Sequence, residues 1–154
     1  MTVNAAGGSK FYIGTTLSAT SQAEFETDTY TEVGEVENLG EFGDQANIIT
    51  FASLADTRVR KFKGARDAGT MDVVVGDDPL NAGQDAMVAA EGQPNDYNFK
   101  VELNDPTSLS GTPSVFYFRG KVLSKRMNVG DVNNVVRRTF QVGVNSAIVE
   151  IDPT

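Results

Sequence analysis

Eight consecutive residues, Tyr97 to Asn104, alternate without a break: Tyr97, Phe99, Val101 and Leu103 are apolar, while Asn98, Lys100, Glu102 and Asn104 are polar. Period two puts the apolar four on one face of an extended chain, which is the pattern of a half-buried strand. Asp105-Pro106 stops it. Two longer strands follow, Val115 to Leu123 and Val132 to Val144, and Val129-Gly130-Asp131 between them reads as the turn of a β-hairpin. The apolar start of the first strand suggests burial on both faces, with Gly120 marking a bulge or a close approach. Five cations, Lys121, Lys125, Arg126, Arg137 and Arg138, flank this hairpin. Arg137 and Arg138 point to opposite faces, so at most one of them meets any given partner.

One helix is expected. Asp77-Asp78 supplies an N-cap carboxylate, Pro79 the first helical position, and Glu91-Gly92 the end, which gives a helix over about 79–91. Gly83 inside it costs about 1 kcal/mol against Ala, so tertiary packing must hold the helix. Met71, Val73 and Val75 form a strand just before it, and Lys10–Thr15 and Tyr30–Val36 read as two more. Residues 40–67 show no sustained period. A connection this long is a loop with a job, or a loose hairpin.

The charges in that region are sorted by sign. From Phe11 to Thr57 there is no Lys or Arg and there are nine carboxylates: Glu24, Glu26, Asp28, Glu32, Glu35, Glu37, Glu41, Asp44 and Asp56. Then Arg58, Arg60, Lys61, Lys63 and Arg66 place five of the thirteen basic residues in nine positions. Such segregation is read in two ways: an acidic, solvated strand pair beside a basic turn, or one part of the molecule shaped to meet another, within the subunit or in a neighbouring copy.

Several function classes are excluded by composition. The net charge of −8 opposes binding to nucleic acid or to an anionic membrane. Without histidine there is no Ser-His-Asp triad, and without cysteine or histidine no zinc site. The carboxylates lack calcium-loop spacing, and neither Gly7-Gly8 nor Gly40–Gly43 is followed by the Lys-Ser/Thr of a phosphate loop. Asp77-Asp78 reads as a helix cap rather than an acid/base pair. Tyr117 and Lys121 sit in a strand pattern, not in the helix that a Tyr-x-x-x-Lys pair needs. The first twenty residues hold no apolar run of a signal peptide, and no stretch approaches the roughly 20 residues of a membrane helix. No enzyme, cofactor or metal is expected. A structural or binding role remains, carried by a single domain over 1–154 with tails at about 1–9 and 150–154.

The order of elements then points to a family. A strand with Phe11-Tyr12-Ile13-Gly14-Thr15-Thr16 leads to Glu35-Val36-Glu37-Asn38-Leu39-Gly40 and a long polar loop. A strand, the capped helix and the alternating strand follow, then Phe118-Arg119-Gly120-Lys121-Val122, a hairpin and Val136-Arg137-Arg138-Thr139-Phe140-Gln141-Val142. Over about 11–145 this resembles the major tail tube protein of long-tailed, lambda-like, non-contractile bacteriophages. The resemblance implies a mainly β fold, an antiparallel β-sandwich or partial barrel with one flanking α-helix (about 79–91) and a long loop (about 39–67). It implies hexameric rings that stack into a hollow tube conducting phage DNA, in a virion tail assembled in the host cytoplasm. Partners would be further copies and other tail proteins (tape measure, terminator, tip), with DNA passing without specific binding. The long loop would be mobile in the free subunit and ordered in the stack. Within that frame Arg58, Arg60, Lys61, Lys63 and Arg66 are expected to meet acidic residues of a neighbouring subunit, among them Glu35, Glu37, Glu41 and Asp44. The alternatives are a type VI secretion-like tube protein and a monomeric ligand-binding β-sandwich.

Overall fold

The computed structural model describes residues 3–154. Its strands are β1 (Lys10–Ile13), β2 (Thr31–Val33), β3 (Val36–Asn38), β4 (Gln45–Phe51), β5 (Arg60–Asp67), β6 (Thr70–Gly76), β7 (Tyr97–Glu102), β8 (Val115–Asn128), β9 (Arg137–Val144) and β10 (Val149–Ile151). Two helices interrupt them, α1 (Gln22–Glu26) and α2 (Ala82–Glu91). Eight strands form one sheet in the order β2-β1-β7-β8-β9-β6-β3, with β10 on β8, while β4 and β5 pair only with each other. Every pairing is antiparallel.

This sheet has to curl. Seven strands laid flat at about 4.8 Å spacing would separate the two ends by roughly 29 Å. The end strands β2 and β3 are joined by Gly34 and Glu35 alone, a link that spans at most about 11 Å. The expected strand Tyr30–Val36 is thus two strands broken at this corner, where Glu35 takes a positive φ of 58°. The result is the partial barrel with a flanking helix that the resemblance implied as one of its two forms.

The core lies inside the curl. Phe11 stacks on Phe99 and Phe99 on Phe118, at 5.7 and 5.5 Å between ring centroids. The alternating residues Phe99 and Val101 pack with Met71, Val73, Val75, Phe140, Val142 and Val144. Each such side chain contributes on the order of 1.5–3 kcal/mol by leaving water. Gly120 marks a close approach, because a Cβ there would meet the Gly143 carbonyl oxygen; the bulge itself falls just beyond, between Val122 and Ser124.

The helix differs from its sequence reading. It begins at Ala82, not at 79, and its N-cap is Asn81, whose Oδ1 accepts from the Gln84 amide at 3.0 Å. Asp78 instead accepts from the Leu80 amide at 3.0 Å in a turn ahead of the helix, leaving Leu80 exposed. Pro79 fits that turn because its missing N–H is not needed there. Helix α2 closes the corner between β2 and β3. Gln84 is buried, and its Nε2 donates to the Gly34 and Gly76 carbonyls at 2.9 Å each. Gly83 lies against β2, where a Cβ would stand 2.0 Å from the Glu32 carbonyl oxygen.

Three further departures concern length and order. Helix α1 is an addition, capped by Ser21, which accepts from the Glu24 amide. The two hairpin strands run Val115–Asn128 and Arg137–Val144, with residues 129–136 between them. The C-terminal stretch expected as a tail carries β10, and Thr154 exchanges backbone hydrogen bonds with Thr107 and Thr112. The expected N-terminal tail falls partly on residues 1–2, outside the described residues.

Candidate assembly surface

The region read as a long loop over 39–67 holds a regular hairpin. Strands β4 and β5 pair in register from Gln45↔Asp67 to Phe51↔Arg60, with one bulge between Ala46 and Ile48. Opposite residues of an antiparallel pair share a face. Ile49, Phe62, Phe51 and Arg60 therefore project from one face, and Ile48, Lys63, Thr50 and Lys61 from the other. The sequence shows no clean alternation here because neither face is sorted against a core. Ile48 is 70% exposed, Phe51 55% and Phe62 54%. An isolated two-stranded hairpin is marginal in water, and apolar side chains exposed on both faces of one mark a surface to be covered. The arm joins the body through Gly43 (φ 151°) and Gly69 (φ 69°), where no atom outside the adjoining chain comes within 4 Å of a Cβ.

Charge divides between arm and body. Residues 44–67 hold five cations against three carboxylates, a net +2. That leaves −10 on the remainder of a chain whose total is −8. Two arm cations are paired within the subunit, Arg60 with Asp56 at 3.5 Å and Arg66 with Asp44 at 3.6 Å. Arg58, Lys61 and Lys63 have no ion-pair partner among the described residues, and all three are exposed.

The nominated carboxylates separate into two groups. Glu41 and Asp44 lie at the arm's root, around an open cleft also lined by Asp67 and Thr70. Glu35 and Glu37 lie at the other end of the sheet, beside Gly76 and Arg137 respectively. Glu37 is engaged in cis by Arg137, and Asp77 by Arg138 at 3.6 Å, so both flanking arginines find partners inside the subunit. Lys125 pairs with Glu91 at 3.6 Å and Lys121 with Asp96 at 2.6 Å, which ties the hairpin's basic flank to α2 and to the turn after it.

A second exposed apolar surface escaped the sequence reading. At the tip of the β8–β9 ribbon Met127, Val129, Val132, Val135 and Val136 are all exposed, Val132 at 94%. The valines at 129, 132, 135 and 136 were the available signal. The same ribbon leaves an edge open, since β7 pairs with β8 only as far as Gly120, while β8 runs on to Asn128. The short strand β3 is an edge of the sheet as well.

A polar anchor also went unread. Buried Asn98 donates to the Leu17 carbonyl at 2.9 Å and to Asp28 Oδ2 at 2.7 Å, and accepts from Arg119 at 3.3 Å. Arg119 reaches the Leu17 and Asp96 carbonyls too. This network pins residues 15–17 and the loop after α1 to β7 and β8. No group of three carboxylates able to hold a metal ion occurs among the described residues.

No family model and no curated protein matches this sequence. Solved structures do match in fold. A chain of the anti-feeding prophage baseplate superposes with a TM-score of 0.67 at 12% identity, covering 99% of this chain and 98% of that one. The SPP1 tail tube gives 0.64 at 12% identity, over 94% and 76%. A chain from the sheath/tube terminator of an extracellular contractile injection system gives 0.65 at 11% identity, over 97% and 96%. The fold is therefore that of tail-tube-like proteins, and it is shared between a phage tail and contractile injection systems.

Proposed function

We propose that this chain is a structural tail tube subunit, a single tube-forming domain over its 154 residues. Six copies form a ring, and rings stack into a hollow conduit. The observation that carries this reading is the β4–β5 arm, a folded hairpin with apolar side chains on both faces and unpaired cations, held off the sheet. A chain that worked alone would have no use for such a surface, and burying it against further copies removes the exposure. The open edges support the same reading, because β8 beyond Gly120 and β3 offer unpaired backbone groups to a neighbour. Ring contacts between unlike edges close, and stacking contacts between unlike ends propagate.

The conduit is that of a lambda-like, non-contractile phage tail, and DNA passes through it. Six copies at −8 carry −48, which suits sliding without adhesion, since bound phosphate needs cationic contacts. Tape measure, terminator and tip proteins complete the tail, and the tube resides in the virion after assembly in the host cytoplasm. The intersubunit contacts include Arg58, Lys61 and Lys63, with Arg60 and Arg66 able to exchange their internal partners for external ones.

A second reading has a specific observation in its favour. One of the three similar structures described above comes from an extracellular contractile injection system, so a tube of that type fits the same fold. The deciding measurement begins with self-assembly. Purified protein at rising concentration should give rings and stacked tubes in electron micrographs and fast-sedimenting species in the ultracentrifuge. A single monomeric species at every concentration sinks both tube readings and returns the chain to the ligand-binding β-sandwich.

A further inference from the structure

The two strands of the arm join the body in unlike ways. On the returning side β5 ends at Asp67, and the chain enters β6 at Thr70, which pairs with Gly143. Two hydrogen bonds secure the step between them. The Gly69 amide donates to Asp67 Oδ1 at 2.8 Å, and the Val144 amide donates to the Gly69 carbonyl at 3.0 Å. On the outgoing side the Gly40 amide donates to Asn38 Oδ1 at 2.7 Å. Residues 41–44 beyond it make no backbone hydrogen bond among the described residues. The Asp44 carboxylate reaches only Arg66, which belongs to the arm itself. What ties this stretch to the body is Phe42. It lies between Gly40 and Gly43, which both take positive φ. Its ring meets Phe116 edge-on at 5.3 Å and Phe118 at 6.2 Å, within the range of favourable aromatic pairs. Beside the ring is a cavity of about 290 Å³, lined also by Val36, Leu39, Val101 and Leu103.

We infer that Phe42 is the peg that sets the direction in which the arm leaves the body, with Phe116 and Phe118 as its socket. With the ring seated, the arm is held on both sides of its base. With the ring withdrawn, residues 40–44 are a free tether, and the arm, whose strands stay paired from Gln45↔Asp67 outward, turns as a unit about Gly69. The peg is a property of the single subunit and stands without the tube reading. Its use in assembly rests on that reading: an arm already set in one direction gives up less freedom when it is covered.

Distances within the free subunit test the peg. The chain has no cysteine, so Thr50→Cys on the arm and Gln93→Cys after α2 take spin labels at these two exposed positions alone. Pulsed dipolar electron resonance, below the concentration of self-assembly, should show one narrow distance peak. Phe42→Ala should spread that peak to roughly twice its width or more, and Phe116→Ala, which removes the socket, should do the same. Leu103→Ala widens the same cavity but leaves peg and socket in place; it should lower the melting temperature and keep the narrow peak. If Phe42→Ala does not fold, Phe42→Val is read in its place. A narrow peak in Phe42→Ala or Phe116→Ala, a broad one in Leu103→Ala, or a parent without a narrow peak overturns the inference. In micrographs Phe42→Ala should need about fivefold more protein than the parent to form tubes, because its arm must be ordered on contact; an equal requirement overturns the use of the peg in assembly. A parent that stays monomeric at every concentration removes the tube reading and leaves the distances to decide the peg, so the two failures are told apart.

Discussion

At the scale of single residues, two positions in this chain set physical rules against each other. Gly83 sits inside α2, where helix propensity favours Ala by about 1 kcal/mol. A Cβ there would overlap the Glu32 backbone carbonyl, and no side-chain rotation relieves a clash with backbone. Overpacking of this kind costs about 1–3 kcal/mol, so sterics wins: Gly83→Ala should lower the urea midpoint, although propensity alone says raise it. Asp28 is the second case. Burial pushes its carboxyl up, but hydrogen bonds from Thr15, Asn98 and Thr29 outweigh that and hold it below the ordinary range. Its folded pKa lies below its unfolded one, so its contribution is complete above about pH 4 and is lost as the pH falls through the folded value. Urea midpoints measured from pH 5 downward should drop, and Asp28→Asn should be less stable than the parent at pH 7 yet lose less on acidification. Neither rule was legible in the sequence. Gly83 reads there as a defect in a helix, and Asp28 as one carboxylate among nine; only the approach of β2 and of Asn98, 70 residues along the chain, gives them roles.

Elements were legible to the extent that a core sorts their side chains. Strand β7 alternates because it buries one set of side chains within the barrel, and its reading Tyr97–Asn104 meets the observed Tyr97–Glu102 closely. The cap of α2 was misplaced because Asp78 and Asn81 carry the same chemistry three residues apart, and spacing does not say which of them starts a helix and which closes a turn. Helix α1 had a signal, Ser21 followed three residues later by Glu24, the spacing of a capping box, but five residues give periodicity nothing to work on. The arm was opaque for a different reason: with both faces exposed, no burial imposes a period on Ile48-Ile49-Thr50-Phe51. That independence from the core has a measurable result. Replacing residues 45–67 by a short Gly-Ser turn should shift the melting temperature of the subunit by no more than a few degrees while abolishing tubes, checked by calorimetry and electron microscopy. Collapse of the fold in this variant would mean that the arm supports the barrel.

Taken whole, the molecule keeps stability and contact apart. The barrel holds the stacked phenylalanines, the helix clamp at Gln84 and the Asn98–Arg119 anchor. The surfaces left uncovered are the arm at one end and the ribbon tip at the other. The reversal of charge at Thr57/Arg58 marks where the chain turns back along the arm, so the sequence located the feature but not its geometry. Of the four carboxylates nominated as partners, the two nearer in sequence, Glu41 and Asp44, lie at the arm's root. Glu35 and Glu37, at the far end, are brought there by the pairing of β3 with β6. The arm leaves and re-enters the body at one paired position, Gln45↔Asp67, where antiparallel partners stand roughly 5 Å apart. A segment with so narrow a base can be exchanged for another of different length or sequence without disturbing what lies beneath it. It can therefore serve as an address. Under the proposed function, two tubes built on the same barrel in one cell would refuse each other's subunits through their arms, and a transplanted arm would carry its owner's compatibility with it.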